Sequence, residues 1–160
     1  MDPRLAPLAE LLRLNARLFG NCLVGLTEEA VCERPSVATN SAAFVAAHLV
    51  DSRYYILHIL GAPEPSPLKG ATGGFNDIAN VITYPSLAEI RAAWTTVSDT
   101  LARQLERLTA AQLDAAIDPG FPVENQTLLG LLTFMVQHDS YHLGQLGLLR
   151  KYAGQPAMAY

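Results

Sequence analysis

TLLGLLTFMVQHDSYHLGQLGLLRKYA, residues 127–153, is one unbroken helical pattern with two histidines at its centre. It runs from about Thr127 to Ala153 and stops at Gly154. At 3.6 residues per turn, His138 and His142 lie about 40° apart on the helix. Leu131, Phe134, Met135, Tyr141, Gln145 and Leu149 belong to the same stripe. That apolar face must turn inward, so both imidazoles are expected to point into whatever this helix packs against.

Working outward, three more long helical patterns appear. The first opens at Asp2-Pro3, an N-cap residue followed by proline. Its stripe runs Leu5, Leu8, Leu12, Phe19, Cys22 and Leu26, with Asn15 as a polar interruption on the same line. A short TEEAVCERP segment follows and ends at Pro35. The second helix starts at Asn40 or Ser41 and reaches Gly61, with Phe44, Val45, His48, Ser52, Tyr55 and Ile59 on one face. The third begins with the capping box Ser86-Leu-Ala-Glu89. It continues through Ile90, Trp94, Val97, Leu101, Leu105 and Leu108, with TAAQLDAAI as a short extension.

Residues 61–85, rich in proline and glycine, connect the second and third helices. So long a connection is either functional or a crossover over the end of a bundle. Asn76 and Asp77 follow Gly73-Gly74-Phe75 there and suit either a pocket rim or a turn. With no competing strand pattern, the reading is an all-α, four-helix-bundle fold forming one domain over residues 1–160.

Composition narrows the function. Hydrophobic residues make up 50% and charged residues 16%, with a mean hydropathy of +0.18. An apolar excess of this kind in a small protein suggests that a second subunit covers part of the surface. The net charge is −4, and no Lys/Arg cluster offers the footprint that nucleic acid needs. Cys22 and Cys32 are too few for a secreted disulfide framework. The N-terminus does not read as a signal peptide, and no apolar run of about 18 residues suggests a membrane span. A cytoplasmic location is therefore expected.

Three of the four histidines, His48, His138 and His142, fall on inward faces. Burial disfavours their charged forms, and each neutral ring still needs a hydrogen bond or a metal. A divalent metal satisfies all three together, and imidazole suits zinc, nickel, copper or iron. Ordinary core packing is the competing reading of each histidine alone. His58 lies off this direction and reads as a capping or surface residue. The spacing of H-D-S-Y-H matches a zincin motif, but Asp139 is one methylene too short and no third ligand follows. A di-iron carboxylate site fails because no E-x-x-H occurs.

N-S-A-A-F-V-A-A-H at 40–48, followed by Q-H-D-S-Y-H-L-G-Q-L-G-L-L-R-K-Y-A-G at 137–154, resembles the DinB-like (DinB/YfiT) metalloprotein superfamily. The resemblance extends over nearly the whole chain. It implies an up-down-down-up bundle, commonly dimeric, whose metal ligands here would be His48, His138 and His142. Relatives include thiol transferases that use bacillithiol or mycothiol, and a mycothiol-dependent maleylpyruvate isomerase. Asp139 stands where many members carry Glu.

The expectation is a mononuclear divalent site, zinc or nickel, with an open position and a low-molecular-weight thiol as cosubstrate. The reaction would be thiol transfer to a small electrophile in a homodimer. A metal-dependent hydrolase and a non-enzymatic dimerisation module are the alternatives. Asn15, Asp51 and Gln145 are candidates for supporting the metal or the substrate. Asn15 reads equally as a core amide. Asp51 reads equally as a solvated residue or a partner for Arg53 or Arg91.

Overall fold

The computed structural model describes residues 1–62, 64–68, 83–117 and 121–160. The described chain is helical, with one isolated bridge between Ala116 and Thr127. Its α-helices are α1 (Ala6–Leu23), α2 (Glu28–Cys32), α3 (Ala42–Ile59), α4 (Leu87–Leu105), α5 (Ala110–Leu113) and α6 (Leu128–Tyr152). The Gly73–Asp77 stretch lies outside the described residues.

Local chemistry sets the boundaries. Ser41, Ser86 and Thr127 each accept a backbone N–H of the first turn, which caps α3, α4 and α6. Ser86 and Glu89 complete the expected capping box, and Thr109 with Gln112 form a second one at α5. Asp2 caps a 3-10 turn, Pro3–Leu5, rather than α1 itself. Gly61 and Gly154 follow α3 and α6 with φ of +79° and +76°, a conformation that glycine adopts without steric cost.

The four long helices enclose one core. α1 packs chiefly on α4 and α6, and α3 packs on the same two. Along α1 and α6 the contacts advance together: Asn15 meets Val136 and Ser140, and Cys22 further on meets Leu143. Along α1 and α4 they run in reverse, with Trp94 donating to Ala16 O and Arg91 to Leu23 O. Phe19 stacks on Trp94 with centroids 4.0 Å apart at the centre of that seam. In the last turn of α6, Arg150 donates to Pro156 O, Cys22 O and Val24 O, and Asn21 of α1 donates to Ala159 O. The C-terminal tail is thereby clasped to the end of α1.

Two readings of the faces need correction. α3 is buried nearly all round, because α2, α4 and α6 all pack against it. On its expected inward face, Tyr55 is 39% exposed and Ile59 only half-buried. On α6 the deepest line is Leu132, Met135, Val136, Asp139, Leu143, Leu146 and Arg150. His138 and His142 flank it, while Tyr141 turns outward at 58% exposure.

Candidate metal centre

α3 and α6 bring the three expected histidines together. His48 Nε2 lies 3.1 Å from His138 Nε2. One ring nitrogen from each of His48, His138 and His142 falls within 4.8 Å of the others. The ring centroids stand 4.4–5.0 Å apart, at steep interplanar angles. Two nitrogens bound to zinc at about 2.0–2.1 Å in tetrahedral geometry stand about 3.3–3.4 Å apart. The His48–His138 separation is close to that edge.

Burial keeps the rings neutral. It pulls His48 down to about 3, assisted by the neighbouring His142 and His138. It pulls His138 down to about 4, assisted by His142. His142 is also lowered by burial, against the opposing influence of Gln145 and Asp139. A neutral imidazole is the form that binds a metal.

The three supporting candidates fall in different places. Gln145 Oε1 accepts from His142 Nδ1–H at 2.7 Å, which selects the tautomer whose Nε2 lone pair is free for a ligand bond. Asn15 donates to Ser140 Oγ at 3.1 Å and Val136 O at 3.5 Å, so its amide ties α1 to α6. Asp51 is buried and accepts from Ser66 Oγ. Arg91 instead meets Leu23 O, and Arg53 takes Asp139. His58 is exposed, as expected. His138 Nδ1 is buried without a hydrogen-bond partner among the described residues, a polar atom left to be satisfied beside the cluster.

Sequence reasoning missed the pair beside this cluster. Asp139 is fully buried, and its Oδ2 accepts from Arg53 Nε at 2.9 Å and Nη2 at 2.8 Å. Burial raises the Asp139 carboxyl and lowers the Arg53 guanidinium, and each charge opposes the shift of the other. A signal was available: Arg53 is a cation in a largely apolar helix that packs on nearly all sides, so it requires a counter-charge.

Aromatic side chains surround the imidazoles. Phe44 lies 6.5 Å from His48, Phe134 6.2 Å from His138 and Tyr141 5.1 Å from His142, centroid to centroid. A cleft of about 260 Å³, lined by Asn40, Val45, Gln145, Leu148 and neighbours, opens beside Gln145.

A sequence model of the DinB superfamily matches residues 11–146, a span holding all three histidines. The chain belongs to the DinB superfamily. The crystal structure of a DinB-like protein from Bacillus subtilis, YjoA, superposes with a TM-score of 0.69. That alignment covers 96% of each chain at 16% identity, so the likeness is one of fold. No curated protein matches the sequence. Among the described residues, this DinB superfamily chain has no helix long and apolar enough to cross a membrane.

Proposed function

We propose that this DinB superfamily protein holds one divalent metal, zinc or nickel, on His48, His138 and His142. In this reading it transfers a low-molecular-weight thiol to a small electrophile. The observation that carries the reading is the meeting of ring nitrogens from three histidines within 4.8 Å, with Gln145 fixing the tautomer of one of them. Three protein ligands leave an open position, and a metal bound there supplies a nucleophile at neutral pH from a thiol or from water.

The chain's own cysteines do not supply that thiol. Cys22 is buried against Leu143 O and Met158, and its burial pushes the thiol up to about 11. Cys32 is also raised, chiefly by burial. We assign the thiol instead to a small cosubstrate, for which the cleft beside Gln145 provides room. Phe44 and Phe134 give His48 and His138 apolar neighbours on the side an electrophile would share.

The test begins with metal analysis of untagged protein, with His142→Ala alongside. About one metal per chain, absent from the variant, is the expected result. Thiol-dependent consumption of an electrophile should then follow in wild type alone. Turnover without added thiol would replace transfer with hydrolysis. A folded wild type that refuses every divalent ion offered would end the metal reading.

We further propose a homodimer. Tyr141, Leu148 and Tyr152, at 58%, 55% and 67% exposure, form an outward apolar stripe along α6. Sedimentation should give a dimer for wild type and a monomer for Leu148→Asp. A monomeric wild type at micromolar concentration would refute it.

A further inference from the structure

We propose that Arg53 is a positioning residue for the histidine centre: by clamping Asp139 it fixes the rotation of α6 against α3, and so sets His138 and His142 onto His48. This rests on the metal reading above. The Arg53 guanidinium meets every long helix of the bundle. It donates to Asp139 of α6 through Nε and Nη2, to Ser98 Oγ of α4 at 2.6 Å, and to Leu12 O of α1 at 3.3 Å. Its own backbone belongs to α3, and its Cζ lies 3.8 Å from the centroid of the Trp94 ring.

Asp139 lies between the two histidines in the chain. At about 100° per residue, His138 and His142 both project to one side of it, about 100° and 60° around the helix. Holding Asp139 therefore holds the direction of both rings. At the side-chain radius of about 5–6 Å, a rotation of about 10° moves an atom by about 1 Å. Ligand geometry tolerates only about half of that. The clamp is lopsided: Oδ2 takes both guanidinium bonds, while Oδ1 is buried with no hydrogen-bond partner among the described residues. A pair left incompletely satisfied is a poor device for stability alone, and orientation gives it a use.

The experiment replaces the pair with apolar side chains of similar volume, Arg53→Met with Asp139→Leu, because removing one partner alone strands a buried charge. Zinc Kd by competition and the cobalt d–d absorption spectrum are measured beside Tm. The expected result is a folded double variant whose zinc binding is about 10–100-fold weaker, with altered cobalt bands. A folded double variant with the wild-type Kd and spectrum would overturn the proposal. Should it not fold, Arg53→Gln with Asp139→Asn, a neutral pair that keeps hydrogen-bonding groups in place and weakens the clamp, is read by the same two outcomes. A wild-type protein that takes up no cobalt or zinc is a separate result: it would overturn the metal reading itself and this inference with it.

Discussion

Arg53→Ala is expected to destabilise the protein by about 3–5 kcal/mol, the usual consequence of removing one member of a buried ion pair. For a chain of this size that is about 6–20 °C in Tm. The cause is mainly the carboxylate left behind. Asp139 is fully buried, and both hydrogen bonds to its Oδ2 come from Arg53. The truncation also removes a partner of Ser98 and the cation over Trp94. Raising the pH should deepen the loss, because the uncompensated carboxyl must be protonated to remain inside. Thermal unfolding followed by circular dichroism checks this. A Tm within about 2 °C of wild type would mean that water or a rearranged side chain satisfies Asp139.

Metal affinity should change little between pH 7.5 and 5.5. Three imidazoles with ordinary values near 6.5 would each be mostly protonated at pH 5.5, and together they would lose about a thousandfold in affinity. Here burial, reinforced by mutual repulsion, holds His48 near 3 and His138 near 4, with His142 also lowered. Protons therefore compete weakly, and a loss of less than about tenfold is expected. The same shifts act on the metal-free fold with a definite sign. The unfolded chain gains protons below about pH 6.5 while the folded chain does not, so stability falls as the pH drops from there toward 4. Competition titrations across this range, with melting curves of the metal-free protein, give both readings. A thousandfold loss of affinity by pH 5.5 would show that the imidazoles titrate as exposed ones.

The parts of this structure legible in the sequence are those fixed by local chemistry. Ser86 with Glu89 at one helix start, Gly61 and Gly154 after two helix ends, and the two histidines four apart all declare themselves within a few residues. His48 was legible as well, because it lies between apolar neighbours on a helix that had to be buried. What stayed hidden depends on how helices rotate against each other. Periodicity assigned Tyr141 to the inner face, although the inner line of α6 runs through Asp139 instead. It offered Arg53 or Arg91 as partners for Asp51 and missed Asp139, since 86 residues separate Arg53 from the carboxylate it meets. Likewise, the partners of Asn15 become visible only with α1 laid beside α6, where Ser140 receives its amide.

The packing of α1 directly on α6, with the tail clasped over the end of α1, has a consequence for biosynthesis. α1 is synthesised before α6, so it finds one of its main neighbours only after α6 has been made. Until then its apolar stripe stays partly uncovered, a long-range closure of the kind that slows folding and invites chaperones. His48 waits equally long for His138 and His142. The growing chain cannot assemble the three-histidine cluster until α6 has been made, so a site built on all three imidazoles exists only after that point.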